Sequence, residues 1–544
     1  MTNTDFDRLA KSMFDIFLRR DPIFATSIGI HSYDDVLPSG TIKSKYEDIQ
    51  IMKDYLRKFQ KISNKELTKE RIFDLDLAID SLKLSLFLEN ELRLWSSSPT
   101  APDNVGTSLF LLLTKDFAPV NKRLESMRSR IDQIPDFLDE SKQRITDPVK
   151  LWIKIAIHTT EGLPYLIDEI IAHAKNVNYN KLDKLNQSSK KAKIAINDYQ
   201  KWLENIILNA RVDFAIGKDK LDKILQLRGL GLTSNEILNF AYSALKEEKT
   251  KLTELSSKIK LGASIEEVKK TIKSNHPKGF KEVLDAYRKS IEDTKHYILE
   301  KKVFEIPASE NIVVKETPKF MRNLVSTAAI FQPAKFDKDQ ISLYLITPHN
   351  DTKFLEEHNY YSIPNTTVHE AYPGHHLQGC CANKNPSLIR LLTPFAAEFV
   401  EGWAHYCEEY MKNIGFDNSP ESRFEQTIGM IWRATRMILD IKLASGDISF
   451  DEAVNYLIEQ TGMDKQVALI EVNEYAERPT YFLSYYLGKQ MILKLKRDLM
   501  KQLGNSFNEK KFHDVLLNAG SVPMRYVKRA AQESFDIELG DRLL

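Results

Sequence analysis

Apolar residues recur at helical spacing through the first 300 positions of the chain. Intervals of three and four residues place side chains on one face of a helix. Two early series show this pattern: Phe6, Leu9, Met13, Phe14 and Phe17, and then Leu75, Leu77, Ile79, Leu82 and Leu86. Pro135, Pro148 and Pro164 separate further apolar series and are interpreted as helix boundaries. Residues 1–302 are therefore predicted to form a helical N-terminal half.

The pattern changes after residue 302. Residues 303–320 place two prolines around a β-branched run, which predicts a loop and a short strand. Residues 341–346 alternate between two faces and predict a strand that ends before Pro348, with backbone groups able to bind an extended peptide at a sheet edge. Helical spacing returns from Pro364. A small β element is thus expected at the start of the second half, 303–544.

Composition narrows the class of protein. The 544 residues carry 77 Lys plus Arg against 76 Asp plus Glu, so a net charge of +1 offers no basic surface for nucleic acid or an acidic membrane. Only 20 glycines and 20 prolines disfavour a turn-rich β fold, so a mainly α, large helical body is expected.

Three cysteines, no apolar signal core and no run of 18 apolar residues lead us to expect a cytoplasmic protein with no membrane partner. Cys380, Cys381 and Cys407 cannot build a disulfide framework.

The most informative segment is NTTVHEAYPGHHLQ, residues 365–378. It holds His369, Glu370, His375 and His376 within eight positions, although the chain has only 12 histidines. Two imidazoles beside a carboxylate form the ligand and general-base set of a hydrolytic zinc site. On a straight helix, however, the sixth residue after His369 points roughly 120° away and the seventh lies about 10 Å along the axis.

Pro373 and Gly374 offer a way to bring the histidines together. Pro373 cannot donate the helical hydrogen bond to the His369 carbonyl, and Gly374 adds backbone freedom. We predict a bulge that returns His375 to the side of His369 within one stretched helix, whose N-terminus Thr366 or Thr367 would cap. The spacing alone leaves open whether His375 or His376 binds zinc.

A third ligand is expected downstream. Glu401 lies in VEGWAHYCE, which resembles the NEGFAxYxE segment of glutamate-ligand zinc aminopeptidases, where the first glutamate binds zinc. Glu398, one turn earlier, is the reserve candidate. The small Gly402 is expected to let this helix approach the bulged one closely, and Glu408 and Glu409 are interpreted as surface or supporting groups.

Five segments occur in an order that resembles a known family: HEAYPGHHLQ, EGWAHYCEE, WRATRMILD, AERPTYFLSYYLGK and FHDVLLNAGSVPM. They are similar to the prokaryotic family labelled domain of unknown function 885, placed among zinc metallopeptidases of the HExxH type. The resemblance covers nearly the whole chain and is strongest over residues 303–540. It implies zinc and a zincin-like helical body around a deep cleft, similar to angiotensin-converting and oligopeptidase-type enzymes.

The resemblance also implies roles for particular residues. By motif, His369 and His375 match the helix ligands, Glu370 the general base and Glu401 the third ligand. Tyr485 matches a tyrosine that stabilises the oxyanion in similar enzymes, whereas Tyr481 and Tyr486 match less well and are interpreted as packing residues.

Two departures from the family pattern put the substrate pocket, rather than the metal site, in question. Ala444 stands where members often have histidine, and residues 479–481 read Pro-Thr-Tyr where members often read Pro-Gly-Gln.

The sequence therefore predicts a zinc-dependent hydrolase, first of all a metallopeptidase acting on a small peptide or amide substrate. Two alternatives stay open: a zinc amidase or esterase on a non-peptide metabolite, and a non-catalytic helical binding protein with a retained zinc site. Arg433, Arg436 and Arg478 are candidates for binding a substrate carboxylate, although structural ion pairs are the simpler interpretation. The oligomeric state stays open.

Overall fold

The structure is a computed structural model that describes residues 2–318, 322, 325, 327–348, 352–393 and 396–544, with backbone alone at 352–354. The chain is mainly helical, as predicted. It divides into two compact units, Met1–Phe214 with Ala334–Lys338, and Ala215–Pro333 with Asp339–Leu544. The predicted halves 1–302 and 303–544 are divided where the sequence pattern changes, whereas the two units are divided by compactness. The halves therefore stay a prediction.

The first unit consists of helices. They are α1 (Asn3–Arg20), α2 (Pro22–Ser27), α3 (Ile42–Gln60), α4 (Lys69–Leu86), α5 (Ala101–Thr114), α6 (Val120–Lys142), α7 (Lys150–Asn176) and α8 (Leu182–Ile206). The apolar series near the N-terminus is confirmed as a helix face, because α1 buries Phe6, Met13 and Phe14.

Two of the three expected proline boundaries are wrong. Pro148 does separate α6 from α7, but Pro135 lies inside α6 and Pro164 inside α7. A proline removes one hydrogen bond from a helix and crowds the preceding turn. Both helices are longer than 20 residues and bury a continuous apolar face, and this packing outweighs the local penalty.

His31 attaches the segment 334–338 to the first unit. Its Nδ1 lies 2.9 Å from Asp34 Oδ2, its Nε2 lies 3.1 Å from Asp337 Oδ1, and its ring stacks on Phe117. Burial alone would lower the pKa of His31, but the hydrogen bonds and charges of the two aspartates outweigh it and raise the pKa to about 9.

This pairing makes stability depend on pH. Because the folded pKa of about 9 exceeds the ordinary value of 6.5, the contribution is complete below pH 6.5 and is lost as the pH rises through 9. We expect His31→Gln to lower the free energy of unfolding by about 2 kcal/mol at pH 6 and by much less at pH 10. Urea unfolding across this range, with the exposed His158→Gln as control, measures the difference; a pH-independent loss would contradict the prediction.

The second unit combines helices with three strands. Before and between the strands come α9 (Lys218–Arg228), α10 (Ser234–Ile259), α11 (Ile265–Lys273), α12 (Phe280–Lys301), β1 (Glu310–Glu316), β2 (Ala328–Phe331) and β3 (Gln340–Ile346). After them come α13 (Ser362–Glu370), α14 (His375–Lys384), α15 (Leu388–Leu391), α16 (Ala397–Asn413), α17 (Pro420–Ser445), α18 (Phe450–Thr461), α19 (Lys465–Glu477), α20 (Ser484–Leu503), α21 (Glu509–Asn518) and α22 (Met524–Phe535).

Short helical turns complete the two units. The 3-10 turns are His31–Tyr33, Asn64–Glu66, Leu94–Ser96, Ile207–Asn209, Thr352–His358 and Gly504–Ser506, and a π turn spans Phe87–Leu92. Within the described residues, no helix is both long and apolar enough to cross a membrane.

The strands form a sheet in the order β1-β3-β2. β3 runs parallel to β1 and antiparallel to β2, so both predicted strands are confirmed. The edge-strand role expected for residues 341–346 is wrong, because hydrogen bonds to β1 and β2 occupy both sides of β3.

One buried cluster joins the sheet to the helices that precede the site. It consists of Val283 and Tyr287 from α12, Val314 from β1, Tyr344 and Ile346 from β3, and Ile363 from α13. The sheet therefore supports the start of α13, the helix that carries the first predicted zinc ligand.

The backbones of α16 and α20 touch at two glycines. A Cβ atom added to Gly402 would lie 2.7 Å from Gly488 Cα, and one added to Gly488 would overlap the carbonyl group of Glu398. The expected partner of Gly402 was wrong, since this glycine faces α20 rather than the helices that carry the histidines.

This contact should tolerate no side chain. We expect Gly402→Ala to lower the free energy of unfolding by about 3 kcal/mol, because the helices must separate to admit the methyl group. Chemical denaturation checks the value. Gly106→Ala in α5 is the matched control, since its methyl group would meet its nearest atom at 3.4 Å. Equal stability of the two variants would contradict a close helix contact.

Candidate metal centre

A turn separates the two histidine-bearing helices. α13 ends at Glu370, α14 begins at His375, and the peptide bond before Pro373 is cis. A Cβ atom at Gly374 would overlap the carbonyl oxygen of His369, so only glycine fits at this position. The single stretched helix is therefore wrong in form, because the chain breaks into two helices where Pro373 cannot donate a hydrogen bond.

The expected N-terminal caps are also wrong. α13 starts earlier than predicted, and the hydroxyl groups of Thr366 and Thr367 donate to the carbonyl oxygens of Ser362 and Ile363 at 3.0 and 2.8 Å. Both threonines therefore lie inside the helix. The earlier first turn includes Ile363, which is buried against the sheet.

α16 fixes the turn from one side. The indole Nε1 of Trp403 donates to the Pro373 carbonyl oxygen at 2.9 Å, and the Cys407 thiol approaches the same oxygen at 3.7 Å. Both side chains are fully buried, and Cys380, Cys381 and Cys407 are free thiols. Neighbouring residues of α16 thus determine the shape of the loop between the histidines.

His369, His375 and Glu401 converge. The two imidazole rings lie 4.8 Å apart between centroids, which confirms that the turn returns His375 to the side of His369. Their Nε2 atoms lie 3.9 and 3.5 Å from Glu401 Oε2. The side chains are only 10–12% exposed, so the group is shielded from solvent.

The charges of this group stabilise one another. Burial opposes ionisation, but the neighbouring Glu401 raises the pKa of His375 to about 9, and the histidines lower the pKa of Glu401 to about 2. A carboxylate that stabilises a proton on imidazole also stabilises a bound cation at the same place.

Glu408 supports the group from behind. Nδ1 of His369 donates to Glu408 Oε1 at 2.7 Å, and Asn365 donates to the other oxygen at 3.1 Å. The hydrogen bond from His369 and the approach of His405 outweigh burial and hold the pKa of Glu408 well below its usual range. With the proton on Nδ1, the Nε2 lone pair of His369 faces His375 and Glu401. The supporting role expected for Glu408 matches this geometry.

His405 is a site residue that the sequence analysis missed. Its ring lies 4.7 Å from that of His369, its Nδ1 lies 2.9 Å from Glu408 Oε1, and burial lowers its pKa to about 3. His369, His405 and Glu408 also form a candidate ligand group, but Nδ1 of His369 is already hydrogen-bonded to Glu408. The sequence does carry a signal for His405. The spacing of Glu401, His405 and Glu408 puts all three on one face of a helix.

Two other candidates lie elsewhere. His376 is fully buried, with Nδ1 2.7 Å from Ser342 Oγ and Nε2 2.5 Å from Glu310 Oε2. The reserve candidate Glu398 forms a fully buried ion pair with Arg228 at 2.7 Å. The structure therefore places His375, and not His376, beside Glu401.

Glu370 extends from the same helix end. Burial raises the pKa of its carboxyl group and outweighs the charges of His369 and His375, which lower it; the negative charge of Glu401 adds a smaller upward effect. Its side chain makes no hydrogen bond with any residue that the structure describes. A carboxyl group with a raised pKa and no fixed partner is suited to accept and return a proton.

Tyrosines surround Glu401. The Tyr481 hydroxyl donates to Glu401 Oε1 at 3.3 Å, so this residue does more than pack. The ring of Tyr485 lies 6.0 Å from that of Tyr481 and 5.9 Å from that of His405, and burial together with Glu401 raises its pKa well above 10. Tyr486 donates to Glu248 instead.

The donor set fits a metal ion. Two imidazole nitrogens and one carboxylate oxygen within 4.8 Å of one another match the three protein ligands of hydrolytic zinc sites. The hydrogen bond from Nδ1 of His369 to Glu408 leaves the Nε2 lone pair of His369 directed toward His375 and Glu401. Carboxylates orient the histidines of many metal sites in this way.

Removal of the supporting carboxylate should weaken metal binding. We expect Glu408→Gln to raise the zinc dissociation constant about 10-fold or more, because a neutral amide polarises and orients His369 less strongly than a carboxylate. Competition with a chelator of known affinity measures the constant. Glu533→Gln, an exposed carboxylate on α22, is the control, and equal affinities would contradict the supporting role.

Comparisons with known proteins identify a family and similar folds, but they indicate no activity. The sequence model of a family described as "Bacterial protein of unknown function (DUF885)" matches residues 22–530. A candidate lipoprotein of unknown function from Shewanella oneidensis is similar in structure, with a TM-score of 0.79, 21% identity, and coverage of 97% of this chain and 99% of that one. A candidate lipoprotein from Colwellia psychrerythraea has a TM-score of 0.83 at 18% identity, covering 98% and 99%. No curated protein matches the sequence.

Proposed function

This chain belongs to the DUF885 family of bacterial proteins, and we propose that it is a zinc-dependent hydrolase, a metallopeptidase that acts on small peptides. The observation that supports this most directly is the convergence of His369, His375 and Glu401 beside a carboxyl group, Glu370, that forms no hydrogen bond with a described residue. Ligands alone would suit a structural ion, whereas an uncommitted acid beside them suits catalysis.

In this proposal His369 and His375 hold the metal through Nε2, and Glu401 holds it through a carboxylate oxygen. A bound zinc ion supplies Lewis-acid activation of water and of a substrate carbonyl group. Glu370 accepts a proton from the attacking water and returns it to the departing amine. Its raised pKa suits both transfers, since a strongly acidic carboxyl group would not return the proton.

The tyrosines complete the set of roles. The Tyr485 hydroxyl donates a hydrogen bond to the carbonyl oxygen as negative charge develops on it. Its raised pKa keeps the phenol protonated, so the donor is present throughout the neutral pH range. Tyr481 orients the Glu401 carboxylate through its hydrogen bond.

The wider setting stays a prediction. The zincin-like body with a deep cleft and the cytoplasmic location follow from the resemblance and the composition of the sequence. A near-neutral net charge suits a small peptide or amide substrate better than nucleic acid or a membrane surface. An amidase or esterase acting on a non-peptide metabolite is the second candidate, since the proposed groups serve attack of water on any carbonyl group and none of them recognises a peptide.

Two substitutions separate metal binding from proton transfer. We expect the native chain to bind one zinc ion, Glu401→Gln to lose most of its zinc affinity, and Glu370→Gln to keep zinc while kcat falls about 100-fold or more. Elemental analysis and digestion of a peptide library by the full chain measure these quantities.

Glu533→Gln serves again as the exposed control and should match the native chain in both measurements. Esters and acylated amines in the same assay identify the second candidate. A folded native chain that binds no zinc would exclude both hydrolases.

A further inference from the structure

Two arginines on α17, Arg433 and Arg436, and Arg478 at the end of α19 differ in their partners. Arg436 pairs with Glu471 at 2.7 Å and also donates to the Tyr475 hydroxyl. Arg478 pairs with Glu474 at 3.4 Å on the surface. For these two the expected structural ion pairs are confirmed. Arg433 forms no ion pair with any carboxylate in the described part of the chain.

Arg433 is held in place by contacts other than an ion pair with a described carboxylate. Its Nε donates to His405 Nε2 at 3.3 Å, its Nη1 makes a long contact of 3.4 Å with the Gly429 carbonyl oxygen, and its Cζ lies 4.3 Å from the centre of the Trp432 ring. Nη2 donates to none of the described residues. The side chain is thus oriented at one nitrogen and over an aromatic face, while its outer donors stay available.

The carboxylate with the largest charge effect on Arg433 forms no ion pair with it. Glu408 acts on Arg433 electrostatically, but its oxygens already accept hydrogen bonds from His369 and Asn365. Burial and the like charge of Arg436 lower the pKa of Arg433, which means that the cation is poorly compensated. A desolvated guanidinium gains most from a bidentate carboxylate supplied by a ligand.

Arg433 also lies close to the candidate metal centre. The path from His369 to Arg433 crosses a single imidazole, that of His405, and the Arg433 charge acts on the Glu370 carboxyl group. The ring centres of His369 and His405 are 4.7 Å apart, and His405 Nε2 lies 3.3 Å from Arg433 Nε. One or two residues of extended chain, at about 3.4 Å each, span a distance comparable to these two steps. The residue as a whole is partly exposed.

We propose that Arg433 binds a carboxylate of the substrate. The substrate class is then a short peptide or an N-acyl amino acid whose carboxylate lies within one or two residues of the bond to be cleaved. This rests on the proposed hydrolase function and deepens it, because the same site gains a specificity-determining residue. The carboxylate belongs either to the C-terminus or to an acidic side chain, and the planar guanidinium would bind both in the same way.

Binding can be measured without turnover. The zinc-loaded full chain carrying Glu370→Gln is titrated calorimetrically with N-acetyl-Ala-Ala-Ala, with its C-terminal amide, and with N-acetyl-Ala-Ala-Glu amide, whose only carboxylate is on the side chain. We expect the free acid to bind at least about 10-fold more tightly than the alanine amide. The glutamate amide identifies the source: affinity like that of the acid indicates side-chain recognition, and affinity like that of the alanine amide indicates the C-terminus.

Matched arginine variants assign the effect. Arg433→Gln in the same background should bind acid and amide equally, and Arg433→Lys should keep part of the preference, since an ammonium group retains charge but not the bidentate geometry. Arg478→Gln should keep the full preference, because this arginine is paired on the surface. Thermal unfolding shows which variants fold, and the comparison of acid with amide in the chain that retains Arg433 needs no substitution at this position.

Three results overturn the proposal: equal binding of acid and amide when Arg433 is present, a preference that survives in folded Arg433→Gln, or no binding of any probe. Its failure differs from failure of the proposed function. Hydrolysis of acid and amide at equal rates by the chain with native Glu370 would refute the role of Arg433 alone. Carboxylate-selective binding that depends on Arg433, in a chain that cleaves no peptide, acylated amine or ester, would refute the hydrolase alone.

Discussion

The close backbone contact between α16 and α20 determines where most groups of the candidate site lie. Gly402 and Gly488 allow the two helices to meet without side chains between them. Three consecutive residues of α16 contact three different partners. Glu401 faces the histidines, Gly402 contacts α20, and Trp403 donates to the Pro373 carbonyl oxygen. Any change in the distance between these helices would displace a proposed ligand and release the turn between α13 and α14.

A buried polar network holds the other side of this contact. Arg228 pairs with Glu398 on α16 and donates to the Ser484 hydroxyl at the start of α20. Asp440 accepts hydrogen bonds from the backbone N–H groups of Thr480 and Leu483 at 2.7 and 2.8 Å, although burial raises its pKa to about 7. Loss of one partner would leave another buried and unsatisfied, which costs about 3–5 kcal/mol for an ion pair. Such a network fixes the segment that carries the tyrosines.

Local patterns in the sequence predicted the features that depend on neighbours along the chain. Helix faces such as that of α1, the strand at 341–346 and the return of His375 to His369 all follow from spacing or from one proline–glycine pair. Contacts between distant segments did not follow. Spacing could not reveal that Gly402 faces Gly488, that β3 is paired on both sides, or that His376 points to Glu310. His405 is an intermediate case. The sequence spacing predicts which helical face it shares, but only the structure shows its contact with Glu408.

The departure from the family pattern at residues 479–481 acquires a physical explanation. Thr480 has a φ of 73°, in the left-handed region that glycine adopts freely and a β-branched residue rarely adopts. In the family pattern that the sequence resembles, glycine often stands at this position, so the Thr480 backbone has a glycine-like conformation at some strain. Arg228 donates to the Thr480 carbonyl oxygen and Asp440 accepts its N–H, and these two contacts stabilise the conformation. The next residue, Tyr481, then reaches Glu401, so the substituted segment contributes a hydrogen bond to the proposed ligand. The contacts of Thr480 with Arg228 and Asp440 thus hold the backbone in place, and they position the Tyr481 hydroxyl beside Glu401 in the candidate site.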